Sequence, residues 1–322
     1  MSKTVAQLLQ EYRNHTPPTH SQKITFVGDL IGDIYNITSP FVFNGETIMA
    51  GRVEPRDSEL SSVMFFRNND DRCTLIKDDS QFKNHQDPCC CVIGDELILG
   101  GVVYPVQRSD GTTTYQMVFY RGTSLSTLTP FFKGPEGMKD IRICGLPNGR
   151  VLVMTRPQGG ESGMGEIGYH IFDDLDSINA DVIQTATLFK DQFVSGEWGG
   201  ANQLFVLNDT TVGVLGHISY FEMVNEVNVR HYYPMVFEFD LITQKTTPPR
   251  IIAERSCFPV GPAKRPDLID VVFSGGMVRT GDGAAILYAG LSDTEAGFCH
   301  LPDPFPLHTI SSVNRSRMPM HR

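Results

Sequence analysis

One aspartate has a local setting that suits proton transfer. Asp87 stands in the segment His85-Gln86-Asp87-Pro88, directly before the apolar run 89–93. Because a following proline disfavours helical backbone, we expect Asp87 in an extended conformation at the start of a strand. A carboxylate there that faces a pocket suits general acid or base catalysis. The alternative is a structural turn, since Asp-Pro is also a common turn signal.

Three arginines could bind an anion, because each guanidinium presents a planar fork of donors that matches phosphate. They are Arg52, Arg142 and Arg156. The alternative is that they form structural ion pairs with nearby carboxylates. The candidate carboxylates are Glu54, Asp140 and Glu166. Three arginines that converge on one pocket would repel each other unless negative charge balances them, so the sequence predicts anion binding for at least one.

Four other polar residues are candidates for substrate contacts. They are Asn36, Asn202, His217 and Asp293. A lone histidine is more often structural, and Asp293 could either bind sugar hydroxyls or shape a turn. Trp198, the one tryptophan of the chain, could stack on a sugar face or pack in the core.

The elements that must position these residues are repeated hairpins. Five tight-turn signals lie inside apolar, β-branched runs, and each indicates a hairpin. The signals are Asn44-Gly45, Gly94-Asp95, Asn148-Gly149, Asn208-Asp209 and Asp282-Gly283. Five repeats in 322 residues are in the size range of four-stranded propeller blades with loops.

Polar residues occupy matching places around these turns. Before the turns stand Asn36, Asp87, Arg142, Asn202 and Ser274, and after four of them stand Arg52, Arg156, His217 and Asp293. The innermost strands of a propeller surround a central channel, so these residues would form one polar pocket at its axis. The sequence therefore predicts an all-β fold, a five-bladed β-propeller. A β-sandwich or two separate β-domains explain the five-fold recurrence less well.

A short amphipathic helix is expected before the propeller. Val5, Leu8, Leu9 and Tyr12 have the spacing of one helical face. The predicted organisation is an N-terminal helical segment over 1–20, the propeller over 21–308 and a flexible C-terminal tail over 309–322.

Composition narrows the classes of partner. The chain has a formal net charge of −10 and no basic stripe, so no nucleic-acid partner is expected. No apolar run approaches the roughly 18 residues that span a bilayer, and the N-terminus has no signal-peptide core, so we expect a cytoplasmic protein without a membrane partner. The run Cys89-Cys90-Cys91 cannot form one metal site, because adjacent strand residues face opposite sides. Neither a metal nor a cofactor is expected.

Several segments resemble the β-1,2-mannosyltransferase/phosphorylases of glycosyltransferase family 108, formerly a family of unknown function. These enzymes are relatives of the mannoside phosphorylases of glycoside hydrolase family 130. Each motif is short, and the resemblance rests on their order and spacing over residues 30–300. The motifs are Gln86-Asp87-Pro88 with Ile93-Gly94-Asp95-Glu96-Leu97, Lys139-Asp140-Ile141-Arg142 through Thr155-Arg156-Pro157, Gly216-His217, and Asp270-Val271-Val272-Phe273 through Gly290-Leu291-Ser292-Asp293-Thr294.

The resemblance implies a five-bladed propeller that transfers mannose with inversion. The donor would be mannose 1-phosphate or GDP-mannose, and the acceptor a β-1,2-mannan oligosaccharide, with inorganic phosphate as the partner in phosphorolysis. Asp87 would protonate the departing oxygen in phosphorolysis and accept the acceptor's proton in synthesis. The resemblance assigns the substrate to Asn36, Arg52, Asn202 and Asp293, and the phosphate to Arg142, Arg156 and His217.

Two departures from the phosphorylase pattern bear on phosphate binding. Cys89 replaces the arginine that follows Asp-Pro in the phosphorylases, and residues 202–205 lack their fourth-blade lysine. Phosphate is therefore expected to bind more weakly or in a different position.

Two other functions remain open. A glycoside hydrolase on the same scaffold would use Asp87 as the acid and either Glu197 or Asp293 as the base, at a separation of about 6.5–9.5 Å that leaves room for water. A non-catalytic propeller would instead bind partners on its rim, and would be expected to show a large exposed apolar patch.

Overall fold

The protein is described by a computed structural model that covers residues 2–15, 18, 20–76, 82–159 and 162–305. The predicted tail 309–322 lies outside the described residues. The chain is mostly β-structure with a short N-terminal helix, as the sequence predicts.

The N-terminal helix α1 (Val5–Arg13) begins at a capping box, in which Thr4 and Gln7 satisfy each other's backbone amides. Its apolar face is the predicted one, since Val5, Leu8, Leu9 and Tyr12 are all buried. Among the described residues, neither this helix nor the five-residue α2 (Ala180–Gln184) has the length and apolarity needed to cross a membrane.

The strands form mainly antiparallel units that follow one another along the chain; in unit one, strand β2 pairs with β7 in parallel. After β1 (His20–Lys23), unit one contains β2 (Thr25–Val27), β3 (Asp33–Tyr35), β4 (Phe41–Phe43), β5 (Glu46–Glu54), β6 (Ser62–Asn69), β7 (Arg72–Leu75) and β8 (Phe82–Lys83). Unit two contains β9 (His85–Ile93), β10 (Glu96–Gln107), β11 (Thr113–Gly122) and β12 (Thr129–Glu136). Unit three contains β13 (Arg142–Gly145), β14 (Val151–Thr155), β15 (Gly168–Phe172) and β16 (Thr187–Leu188).

The last two units share one hydrogen-bonded sheet. Unit four contains β17 (Glu197–Val206), β18 (Thr211–Val224), β19 (Val227–Asp240), β20 (Lys245–Thr246) and β21 (Arg250–Ile251). Unit five contains β22 (Asp270–Arg279), β23 (Ala284–Leu291) and β24 (Glu295–Pro302). A short parallel contact joins β19 to β22, where His231 pairs with Asp270 and Tyr232 with Val271. The N-terminal strand β1 completes unit five by pairing with β24.

All five predicted hairpins are confirmed. Each turn signal separates two strands that pair antiparallel within one unit: β4 with β5, β9 with β10, β13 with β14, β17 with β18, and β22 with β23. The turn glycines Gly45, Gly94, Gly149 and Gly283 have positive φ, which glycine adopts without the steric cost of a Cβ.

Five hydrophobic clusters hold neighbouring units together, and each is formed mainly by two units. Units one and two share a cluster around Phe65 and Leu97, and units two and three share one around Phe119 and Val153. The remaining clusters join units three and four, four and five, and five and one. Helix α1 packs into the cluster between units three and four. The polar side chains described next come from all five units.

Candidate functional site

A polar cavity of about 150 Å³ brings together residues from all five units. Its walls include Asn36, Arg52, Asp87, Lys139, Asp140, Arg156, His217, Arg230, Tyr232, Phe273 and Asp293. Six of the eight residues that the sequence assigned to the site therefore meet in one cavity.

Asp87 is held by residues of unit one. Its Oδ1 accepts hydrogen bonds from Asn36 Nδ2 at 2.8 Å and from Arg52 Nη1 at 3.1 Å. Burial alone would raise the pKa of the Asp87 carboxyl, but Arg52, Lys139 and the Asn36 hydrogen bond outweigh it and hold that pKa below its ordinary value. Asp87 is therefore an ionised carboxylate at neutral pH, ready to accept a proton.

The backbone at Asp87 differs from the expected extended conformation. Asp87 has a φ of +49°, and a β-bulge places Asp87 and Pro88 opposite the single residue Gly101 of β10. Similar bulges fall at Asn202 in β17 and at Gly275 in β22. A bulge bends its strand and changes the direction of a side chain. The effect of a proline on the preceding residue does not predict such a bulge.

Left-handed backbone recurs at the cavity. Asn36, Asp87, Asp140 and Asp293 have φ values between +46° and +59°, and each comes from a different unit. Non-glycine residues rarely adopt this conformation, although Asn and Asp tolerate it best, and such residues cluster at functional sites. Each of these four side chains leaves its strand or loop at a sharp bend and lines the same cavity.

Arg52 is fixed in place by a buried carboxylate. Glu54, only 1% exposed, accepts hydrogen bonds from the Arg52 guanidinium, from Lys264 and from the Tyr35 hydroxyl. The Arg52 guanidinium also lies 5.0 Å from the centre of the Tyr35 ring. These contacts leave Nη1 of Arg52 directed at Asp87.

A second carboxylate organises the opposite group of residues. Asp140 Oδ2 lies 3.2 Å from Arg156 Nη1 and 3.9 Å from His217 Nε2. Burial would raise the pKa of Asp140, but Arg156, His217, Arg142 and Lys139 lower it to about 2. Gly200 makes this packing possible, because a Cβ there would lie 2.9 Å from Asp140 Oδ2 and from the His217 ring.

His217 acts in this cluster as a neutral ring. Burial, assisted by Arg156, Lys139 and Arg142, lowers its pKa to about 3 despite the neighbouring Asp140. Its Nδ1 is 2.8 Å from Asn202 Oδ1, and its ring stacks on Tyr232 with centroids 5.3 Å apart. His217 can therefore contribute a hydrogen bond to a ligand, but not a positive charge.

Two predicted site residues line a different cavity. Arg142 and Asn202 face a space of about 300 Å³ that also borders the cysteine run 89–91. Arg142 donates to the carbonyl oxygens of Asn202 and Ile141, and its Nη2 lies 3.7 Å from Asp140. The structure thus places Arg142 behind Asp140 rather than among the residues that line the polar cavity.

Several residues of the polar cavity were not assigned a role from the sequence, among them Lys139, Arg230 and Tyr232. Lys139 and Arg230 line it and form no ion pair with a carboxylate of the described chain, while Tyr232 stacks on His217. Lys139 was quoted within a family motif but not assigned a role, and nothing in the sequence around Arg230 and Tyr232 marks them. Trp198 is buried and donates from Nε1 to the Tyr232 hydroxyl, so it supports the wall from the core.

The structure also shows the positions of Glu197 and of the cysteine run. Glu197 accepts a hydrogen bond from the Val5 backbone amide at 2.8 Å and is not among the residues that line the polar cavity. In the cysteine run, Cys89 and Cys91 contact the cluster between units two and three, whereas Cys90 contacts the cluster between units one and two. The predicted alternation of these cysteines is confirmed.

Asp293 gives the cavity a group that titrates near neutral pH. Burial, with Asp87 and Glu54 adding to it against Arg52 and Lys264, raises the pKa of Asp293 to about 6. The unfolded carboxyl loses its proton near pH 4, so the folded state binds more protons between about pH 4 and pH 6. Stability contributed by this proton is therefore lost as the pH rises through that window.

We expect Asp293→Asn to flatten this pH dependence. The melting temperature of the variant, relative to the unsubstituted protein, should increase between about pH 4 and pH 6 and then level off. Asparagine tolerates the φ of +52° at this position, so the backbone should be retained. Thermal unfolding across this range checks the prediction, and parallel melting curves for the two proteins would contradict it.

Comparison with known proteins identifies the family. Residues 10–307 match the family described as "Protein of unknown function (DUF1861)". The chain belongs to the DUF1861 family. Comparison of this DUF1861 chain with functionally curated proteins finds no match.

Two solved structures of mannose-active enzymes are similar to this DUF1861 protein. A mannose phosphorylase from Leishmania mexicana, in complex with a phosphate ion, is 33% identical over 94% of each chain, with a TM-score of 0.86. A GDP-Man-dependent mannosyltransferase from Leishmania mexicana is 32% identical over 95% of this chain and 96% of that chain, with a TM-score of 0.85. The resemblance predicted from the sequence motifs is thereby confirmed.

A more distant structure shares the fold. A β-1,2-mannobiose phosphorylase from Listeria innocua has a TM-score of 0.61 at 18% identity, covering 91% of this DUF1861 chain and 94% of that chain.

Proposed function

We propose that this protein is an enzyme that transfers mannose, with inversion, between a phosphate-type leaving group and a carbohydrate acceptor. The observation that carries the proposal is one cavity that holds the ionised Asp87, hydrogen-bonded to Asn36 and Arg52, together with two cations. These cations, Lys139 and Arg230, form no ion pair among the described residues. The two similar enzymes from Leishmania mexicana support mannose as the sugar and either phosphate or GDP as the leaving group.

The five units are proposed to be the five blades of a propeller around this cavity. The cycle of five shared clusters supports this arrangement, since it passes from unit one to unit five and back to unit one. The pairing of β1 with β24 supports closure of the ring, because it joins the N-terminal strand to the last unit.

Asp87 is proposed to move the proton. In synthesis the acceptor hydroxyl attacks the anomeric carbon and gives its proton to Asp87, while the bond to the phosphate oxygen breaks and phosphate leaves with the electron pair. In phosphorolysis the steps reverse, and protonated Asp87 gives its proton to the departing glycosidic oxygen. Phosphate bound nearby favours that protonated form, because a like charge disfavours the carboxylate.

The phosphate is proposed to bind across the cavity from Asp87. Lys139 supplies a charge that forms no ion pair with a carboxylate of the described chain, and His217 supplies a neutral hydrogen-bonding ring. Arg156 keeps its predicted role as a phosphate ligand, whereas we assign Arg142 the role of balancing Asp140. The mannose is proposed to contact Asn36, Arg52 and Asp293.

Replacing Lys139 with methionine should weaken phosphate binding. Methionine keeps an unbranched apolar stem but removes the ammonium group, so we expect the KM for phosphate or mannose 1-phosphate to rise at least about 10-fold, the low end for a hydrogen bond to a charged group. The matched control is Lys245→Met in the exposed strand β20. Initial-rate kinetics test this, and equal KM values in the two variants would contradict it.

The hydrolase alternative now depends on Asp293 as its base. With pKa raised to about 6, Asp293 would be ionised at neutral pH and could activate water. Cleavage of a β-mannoside that proceeds equally fast with and without inorganic phosphate would favour hydrolysis over the proposed transfer.

A further inference from the structure

A long hairpin extends one wall of the cavity outward. Its strands β18 and β19 have 14 residues each, and their pairing continues without a break to Val224 and Val227. The cavity residues Tyr232 and Arg230 lie on this hairpin, before its tip. The hairpin is thus continuous with the proposed phosphate site.

One face of the hairpin carries the cavity residues and an exposed apolar surface. The side chains of two directly paired residues point to the same face of a hairpin. Phe221 pairs with Arg230 and Met223 pairs with Asn228, so all four lie on the face of Tyr232, nearer to the hairpin tip. Phe221 is 37% exposed and Met223 is 64% exposed. The Arg230 guanidinium lies 5.6 Å from the centre of the Phe221 ring. This set, Phe221, Met223, Asn228 and Arg230, is called the hairpin face.

Inversion fixes which part of the donor can reach the hairpin face. In the proposed reaction the acceptor attacks from the side of Asp87, so inversion requires the leaving phosphate on the other side of the sugar, the side of the proposed phosphate ligands His217 and Arg156. A group attached to that phosphate would then extend along the wall that continues past Tyr232 to the hairpin face. An acceptor chain, by contrast, would leave the cavity on the side of Asp87.

We infer that the hairpin face binds the nucleoside diphosphate part of a nucleotide-sugar donor. Arg230 is unpaired by carboxylates of the described chain and matches the charge of a second phosphate. The edge of Phe221 and the side chain of Met223 offer apolar contact to a base, and Asn228 offers hydrogen bonds. This inference rests on the proposed function, since it uses the inverting geometry at Asp87.

Kinetics with two donors separate this inference from the proposed function. Phe221→Leu removes the ring but keeps apolar contact with Trp198, whose ring centroid is 4.8 Å from that of Phe221. The ring also positions Arg230, so we expect the KM for GDP-mannose to rise about 10-fold through loss of apolar contact and of the Arg230 cation–π contact. The KM for mannose 1-phosphate should stay within about twofold of the unsubstituted protein. The matched control, Val227→Ser, alters an exposed residue on the opposite face and should leave both values unchanged.

Binding can be measured without turnover. Trp198 is the sole tryptophan and packs against Phe221, so GDP should change its fluorescence saturably. The apparent Kd for GDP should be about 10-fold weaker in Phe221→Leu, because the ring that positions Arg230 is lost. Three outcomes would overturn the inference and leave the proposed function standing. The protein could use mannose 1-phosphate without binding GDP, or Phe221→Leu could change the KM for both donors equally. The third outcome is a changed oligomeric state of Phe221→Leu with unchanged KM for both donors. Saturable GDP binding without turnover of either donor would instead contradict the proposed function.

Discussion

Replacing Asp87 with asparagine is expected to lower the turnover number for mannosyl transfer by at least about 10²-fold. The amide cannot accept the proton of the acceptor hydroxyl, and general acid or base catalysis contributes typically 10²–10⁴-fold to a rate. The KM for the phosphate-bearing donor should change much less, because the proposed phosphate ligands lie on other units. Steady-state kinetics with a mannose acceptor and mannose 1-phosphate measure both quantities.

The substitution should leave the fold intact. Asparagine has the size of aspartate and tolerates the φ of +49° found at this position. The matched control is Asp95→Asn, in the exposed turn between β9 and β10, which should retain full activity. Unchanged turnover in Asp87→Asn, together with a normal melting temperature, would exclude Asp87 as the group that moves the proton.

Glu54→Gln is expected to lower the free energy of unfolding by about 3–5 kcal/mol. Glu54 is 1% exposed and accepts hydrogen bonds from Arg52 and Lys264, whose side chains are 6% and 7% exposed. The glutamine would remove the buried counter-charge that these cations share and turn an amide N–H₂ group towards other donors. Lys264 would keep only the half-exposed Glu59, and Arg52 would keep Glu59 and Asp87. Removing one partner of a buried ion pair has a cost of this size. Urea unfolding followed by circular dichroism measures it.

The control for Glu54→Gln is an exposed ion pair of the same unit. Glu46 and Arg67 are about half exposed, so Glu46→Gln should change the free energy of unfolding by less than about 1 kcal/mol. Equal and small effects of the two substitutions would mean that Glu54 does not hold Arg52 and Lys264 in the way described.

Local patterns in the sequence predict the elements of this fold well. The turn signals locate the five hairpins, because asparagine, aspartate and glycine accept backbone angles that tight turns require. The spacing of Val5, Leu8 and Leu9 locates α1 and its buried face. The pairing of β1 with β24 could not be predicted in this way, since it joins residues nearly 280 positions apart and depends on tertiary contacts.

The sequence predicts which residues lie near the site better than it predicts the direction of their side chains. Residues at matching places near strand ends do meet, as Asn36, Arg52 and Asp87 show. The direction of each side chain, however, depends on bulges and left-handed residues that spacing does not reveal. Arg142 therefore turns behind Asp140, while Lys139, three residues earlier, lines the cavity. Arg230 reaches the cavity from a long hairpin, so no matched offset could identify it.

The most direct test of inverting transfer at Asp87 is the reaction of the protein with α-mannose 1-phosphate and a mannose oligosaccharide, followed by phosphorus and proton nuclear magnetic resonance. We expect one phosphate released for each new glycosidic bond and a β-configuration in the product. In Asp87→Asn, the signals of released phosphate and of the new bond should both be lost. A product of retained α-configuration, or release of phosphate with free mannose as the sole sugar product, would contradict inverting transfer.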